Sequence, residues 1–308
     1  MSFSPISRTW PNLATYFLTV IVGFACCASQ AADLVCSQNN LVCDDFERTT
    51  MSPPENNSIN FQWTSMAWSY LANTATDQVI YKSSGVSDRS FSPNDWETQS
   101  GINVLRFKYE PGGNMAEQRF EFDPQPEFWM RYWLRVPTNF YHGSANNKFL
   151  SIFGSTYDGA GTTTWETRPL SGGNSYIYLK DGGAVGYDEQ ETPFIDRSTD
   201  LGRWMQVVVH LKTASSSNAS DGVIQLYRRW EDENSFTLLH DKQNATRQWE
   251  SGTLGYRSGY FLGWANDPYS ELTEWLLDDL EISSSSLITD APAARSKAKA
   301  PGAFSSAL

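Results

Sequence analysis

The sequence predicts an all-β protein built as a β-sandwich or jelly roll. Three observations carry this. Short β-type runs recur along the chain, the connectors carry turn chemistry ("PGG", "SGG", "DGG", "SDG"), and no long amphipathic helix stands out. No internal repeat is evident.

In chain order the runs are "GINVLRFKY", "MAEQRFEF", "FWMRYWLRV", "KFLSIFG", "SYIYLKDG", "WMQVVVHLK", "GVIQLYRRW", "SGYFLGWA" and "WLLDDLEIS". A strand sends alternate side chains to opposite faces. In "FWMRYWLRV" one face is Phe128, Met130, Tyr132, Leu134 and Val136, which suits a core. The other is Trp129, Arg131, Trp133 and Arg135. "WMQVVVHLK" sets Trp204, Gln206, His210 and Lys212 opposite Met205, Val207, Val209 and Leu211. "SYIYLKDG" sets Tyr176, Tyr178 and Lys180 opposite Ile177 and Leu179. "MAEQRFEF" sets Glu117, Arg119 and Glu121 opposite Ala116, Gln118, Phe120 and Phe122. A sandwich buries one face of each sheet. Here the second face is aromatic, basic and hydrogen-bonding on several strands. Indoles stack on the C–H faces of sugars, and guanidiniums grip carboxylates. The pattern therefore points to a carbohydrate groove, with Gln118, Arg119, Trp129, Arg131, Trp133, Trp204 and His210 as binding candidates. Taken strand by strand, Trp–Arg cation–π pairing and ordinary β-propensity explain the same residues.

Acidic residues outnumber basic ones 35 to 23, and the net charge of -12 excludes a basic nucleic-acid footprint. Residues 1–31 read as a signal peptide: Arg8 precedes the apolar run "LATYFLTVIVGFACCA", and "SQA" ends at Ala31. Lipid attachment at Cys26 is the alternative. Residues 32–283 are expected to form one domain and 284–308 a disordered tail rich in Ser, Ala and Lys. A secreted or periplasmic monomer follows, with no membrane span once the leader is removed. In that compartment Cys36 and Cys43 are expected to form one disulfide.

The segments "RYWLRVPTNFYHGSANNKFLSIFGS", "WETRPLSGGNSYIYLKDG", "GRWMQVVVHLKTASSSNASDGVIQLYRRW" and "GYFLGWAN…WLLDDLEIS" run in the order of concanavalin A-like jelly rolls. Within that group the chain resembles polysaccharide lyases related to family 14 alginate lyases, over roughly residues 44–283. The matching positions are Lys148, Arg168, Tyr176 and Tyr178, then Trp204 and Asp221-Gly222. The family's "GGKLPG" loop is "SANNKFLS" here, which keeps the Lys without the glycines. The resemblance implies a concanavalin A-like β-sandwich of two antiparallel sheets. It also implies cleavage of a uronate-containing polysaccharide by β-elimination, with no cofactor required for the chemistry. A non-catalytic, lectin-like carbohydrate-binding protein is the alternative on the same fold.

β-Elimination needs a group to neutralise the uronate carboxylate, a base, and an acid for the leaving oxygen. Arg168, with Gln118 or Arg131 beside it, is the candidate neutraliser. Lys148, Tyr176 and Tyr178 are candidates to move protons, and His142 is a second-rank base. His240, in a polar hairpin, is expected to be inert. "DDFE" and "LLDDLEIS" resemble the paired edge strands of this fold. Their Asp45, Glu47, Asp278 and Asp279 are hard oxygen donors suited to a structural Ca²⁺.

Overall fold

The computed structural model describes residue 34 and residues 36–76, 78–82, 97–154, 161–181, 188–216, 218–246 and 255–288. The expected leader, Cys26 and most of the expected tail lie outside them. The first strands are β1 (Asn40–Asp44), β2 (Asn56–Asn57), β3 (Gln62–Ala67), β4 (Ser69–Asn73), β5 (Gln78–Lys82) and β6 (Asn103–Tyr109). Next come β7 (Met115–Gln125), β8 (Glu127–Arg135), β9 (Asn147–Phe153), β10 (Thr163–Leu170), β11 (Asn174–Asp181) and β12 (Asp188–Ile195). The last are β13 (Trp204–Lys212), β14 (Gly222–Trp230), β15 (Thr237–Ala245), β16 (Tyr256–Trp264) and β17 (Thr273–Ser283).

The strands form two antiparallel sheets, a concanavalin A-like jelly-roll sandwich. The first has the order β15-β14-β13-β8-β17-β6-β4-β5 and the second β12-β11-β10-β9-β16-β7-β3. Strand β17 runs beside β8 on one edge. On its other edge the first half pairs with β6 and the second half with β1, which also carries β2. The "DDFE" and "LLDDLEIS" segments are thus paired.

The core lies between the sheets. Alternation in β8 sends Phe128, Met130, Tyr132 and Leu134 into it, beside Met205, Val207, Val209 and Leu211 of β13. Ile177 and Leu179 of β11, Trp165 of β10 and Phe120 of β7 enter from the second sheet. His240 is buried, and its Nδ1 accepts the Trp165 indole N–H at 3.0 Å, so it belongs to the interior rather than to a solvated hairpin. Cys36 and Cys43 are joined in a disulfide at the entry to β1. No helix among the described residues is long and apolar enough to cross a membrane.

Candidate functional site

The outward faces of the two sheets have different fates. On the second sheet, β10 lies between β9 and β11, and the register sets Glu166 opposite Lys148 on one side and Tyr178 on the other. Arg168 stands opposite Tyr176. A bulge beside Trp165–Glu166 lets Phe149 and Leu150 both turn into the core while Lys148 stays outward. Five residues between positions 148 and 178 are thereby gathered on one face.

Glu166 is the centre of this group. Its carboxylate is almost fully buried and accepts a hydrogen bond from the Lys148 ammonium and another from Asn146 Nδ2 at 2.6 Å. Asn146 is oriented in turn by Asn266, whose Nδ2 donates to its Oδ1 at 2.8 Å. Arg168 lies with its Cζ 3.5 Å from the Tyr178 ring centroid, so the buried Tyr178 ring is its shelf. The nearest guanidinium nitrogen stands 3.8 Å from Glu166, beyond hydrogen-bonding distance, and Arg168 Nε has no hydrogen-bond partner. Tyr176 lies beside Glu191 and Arg168. Partial burial, and then Glu191, hold its phenol above the usual tyrosine value despite the guanidinium. At neutral pH it is a proton donor. Arg119 shares this outward face. It pairs with Glu117 and lies over Tyr260.

The other expected site residues lie elsewhere. Gln118 faces inward and is fully buried, with Ser69, the Ser65 carbonyl and the Arg119 carbonyl as partners, so no ligand reaches it. His142 is also buried. Its Nε2 meets Thr167 Oγ1 at 3.1 Å, on the core side of β10 and away from Glu166. Burial lowers its pKa below the ordinary histidine value, which keeps it neutral, but the ring does not share the outward face.

Trp129, Arg131, Trp133, Trp204 and His210 all lie on the outward face of the first sheet, so they do not join the Lys148 group. That face is internally satisfied. Trp129 stacks on His210 with centroids 3.9 Å apart and planes 5° apart. Both His210 nitrogens are engaged, with Gln225 and Glu127 at 2.9 Å each. Arg131 makes a two-pronged contact with Glu281 and donates to the Leu287 carbonyl. Trp204 is fully buried and donates to Glu97 at 2.8 Å, and Trp133 packs beside it under Arg229. The sequence alternation identified an outward face correctly, but that face is occupied by its own side chains.

Three of the acidic residues expected as calcium donors accept from backbone amides, and the fourth, Asp279, accepts from the Ser100 hydroxyl. Glu47 accepts from the Ile102 and Asn103 amides, Asp45 from the Glu47 amide, and Asp278 from the Gln99 and Ser100 amides. Asp278 and Asp279 are both buried at a bulge where Asp279 has φ 51°. Burial, reinforced by Asp279, pushes the Asp278 carboxyl well above the usual carboxylate range. No group of three or more His, Cys, Asp or Glu side chains suited to a metal is gathered among the described residues.

Sequence reasoning missed Glu166 and Asn146. The signal for Glu166 was its place two residues before Arg168, on the same face of one strand.

No protein-family model and no curated protein sequence matches the chain. Among solved structures, the alginate lyase Aly36B bound to an alginate tetrasaccharide is similar over 71% of this chain and 98% of its own, at 15% identity and TM-score 0.45. The marine PL-14 alginate lyase of Aplysia kurodai aligns over 71% of this chain and 99% of its own, at 11% identity and TM-score 0.45. Lectin I-B4 of Griffonia simplicifolia aligns over 61% and 90%, at 11% identity and TM-score 0.37.

Proposed function

We infer that the chain binds a uronate-containing polysaccharide on the outward face of the second sheet and cleaves it by β-elimination. The observation that carries this reading is the Glu166 group. Two cations, Lys148 and Arg168, face one carboxylate, and the Arg168 guanidinium comes no closer to it than 3.8 Å. A substrate carboxylate is the anion such a fork fits.

In this reading Arg168, braced on Tyr178, neutralises the uronate carboxylate and so acidifies the adjacent C–H. The Glu166 carboxylate takes that proton while the Lys148 ammonium beside it stays protonated. The electrons form the C=C bond as the glycosidic C–O bond breaks, and the neutral Tyr176 phenol gives its proton to the departing oxygen. Every proton and electron pair is then accounted for without a cofactor.

The test is incubation of residues 32–308 with alginate, glucuronan and glycosaminoglycans, following the ultraviolet absorbance of the new C=C bond. Unsaturated product from at least one polymer, lost in Arg168→Ala and Tyr176→Phe, is the expected result. Binding without any unsaturated product would replace the lyase by the lectin-like alternative.

A further inference from the structure

Trp264 is the residue of this face that neither the motif nor the Glu166 group absorbs. It ends β16, the strand next to β9, and its cross-strand partner on β7 is Met115. Ala116 and Ala265, the neighbours of Met115 and Trp264, both enter the core, so Met115 and Trp264 point outward, on the face that holds Lys148 and Glu166. The indole is 46% exposed, whereas the tryptophans of the first sheet are buried or half-buried against their neighbours.

The backbone holds it there on both sides. The Ala265 amide donates to the Asn114 carbonyl at 2.8 Å, and the Asn266 amide donates to the Asn146 carbonyl at 3.2 Å. Ala265 also forms a bridge with Asn147, the residue before Lys148. Trp264 is thus fixed to the loop that presents Lys148 and Asn146, about one interstrand step of ~4.8 Å across the sheet. The strand takes an irregular path to place it. Leu262 has φ 57° and Gly263 φ 112°, left-handed conformations that a regular strand does not use. This irregular path turns Leu262 into the core and leaves the next side chain but one exposed. Unfavourable backbone conformations persist where the surroundings enforce them, and they cluster at ligand-binding positions.

We propose that Trp264 is a stacking platform for a pyranose ring of the acidic polysaccharide, one sugar unit or so along the chain from the unit whose carboxylate meets Arg168. This rests on the reading given above for the Glu166 face. It adds that the polymer crosses the strands, from β10 over β9 to β16, rather than running along them. The platform binds substrate and transition state alike, because the stacked unit lies away from the bond that breaks. Its loss therefore raises KM and leaves kcat nearly unchanged.

The experiment compares wild type, Trp264→Ala and Trp264→Phe on the polymer of the panel that wild type cleaves, with alginate as the first probe. Affinity electrophoresis in gels containing the same polymers runs in parallel. A rise in KM of about tenfold for Trp264→Ala, kcat within about twofold, an unchanged melting temperature and partial recovery in Trp264→Phe support the platform. If wild type cleaves and Trp264→Ala keeps its KM, the platform is overturned and the lyase stands. A loss of kcat together with a much lower melting temperature, not recovered by Phe, also overturns it, since Trp264 would then be structural. If wild type is retarded in the gels but makes no unsaturated product, the lyase reading falls. The platform is then supported by weaker retardation of Trp264→Ala and overturned by equal retardation. If no polymer is cleaved or bound, both fall.

Discussion

Replacing Glu166 by Gln tests the centre of the site without changing its shape. The carboxylate is 4% exposed and its Lys148 partner 13% exposed. In the variant one amide oxygen still accepts from Asn146, but an NH₂ group now faces the Lys148 ammonium. Removing one partner of a buried ion pair costs about 3–5 kcal/mol. Lys148 retains some access to water and can turn towards it, which reduces the expected cost to ~2–3 kcal/mol. For a domain of this size each kcal/mol shifts Tm by about 2–4 °C, so Glu166→Gln is expected to melt ~4–12 °C below wild type. Lys148→Met removes the ammonium that hydrogen-bonds to the carboxylate and is expected to cost a similar amount. The double variant should lose less than the sum, with a coupling energy of ~1–3 kcal/mol. Calorimetric unfolding of the four proteins at neutral pH measures this. If Glu166→Gln melts within about 1 °C of wild type and the coupling is below ~0.5 kcal/mol, the pair does not organise the site.

On the first sheet, Arg131→Ala strands the buried Glu281 carboxylate. It is expected to cost ~2–4 kcal/mol in chemical denaturation while leaving polysaccharide affinity unchanged; weakened affinity with intact stability would return the groove to that sheet. Phe128→Ala, which opens a cavity in the core, is expected to cost about 3–5 kcal/mol, more than Trp129→Ala on the outward side. Stability should also fall in alkali. Burial raises the pKa values of Tyr109 and Tyr132 and pushes Tyr269 to about 12, so the unfolded chain releases these protons near pH 10 while the folded chain keeps them. The contribution is fully present below pH 10 and is lost as pH rises towards 12, at roughly 1.4 kcal/mol per unit for each group. A urea midpoint that stays level from pH 9 to pH 11.5 would contradict this. Thiol titration of unfolded, unreduced residues 32–308 should find neither Cys36 nor Cys43 reactive.

The strand faces were legible because alternation is local. All the runs read as β-type fall on strands, and Phe128 and Trp129 point as their spacing requires. The edge strands β12 and β15 were less visible, since "DEQETPFI" and "TLLHDKQNA" lack a clean apolar alternation. The bulge at Asp278–Asp279 was hidden as well. In "WLLDDLEIS" strict alternation would send one aspartate outward, but the left-handed Asp279 resets the register and buries both. That Trp129, Arg131 and Trp133 lie on a different sheet from Lys148, Arg168, Tyr176 and Tyr178 was not legible. Alternation says that a side chain leaves the core, not what meets it there. Arg131 is neutralised by Glu281, on a strand that pairs with β8 only after the chain has passed through the whole second sheet.

The two outward faces differ in how their charges are matched, and this gives the site its physical basis. On the first sheet Arg131 has Glu281, Arg135 has Glu97 and Arg106 has Glu274, while Glu127 meets both His210 and Lys212, and Arg229 donates to Gln206. Such contacts bring four strands and their flanking segment into register. On the second sheet Lys148 and Arg168 both face Glu166, with Asn146 taking part of its capacity and Glu191 beside Tyr176. These two cations stand side by side in a chain whose net charge is -12. Because charges more than about 10 Å apart are largely screened at 0.1 M salt, local groups govern contact while the acidic exterior acts only at long range. On the proposed reading a polyanion is repelled by most of the surface and held where Lys148 and Arg168 face Glu166. The opposite arrangement, a broadly basic surface, would attract the same polymer everywhere and orient it nowhere.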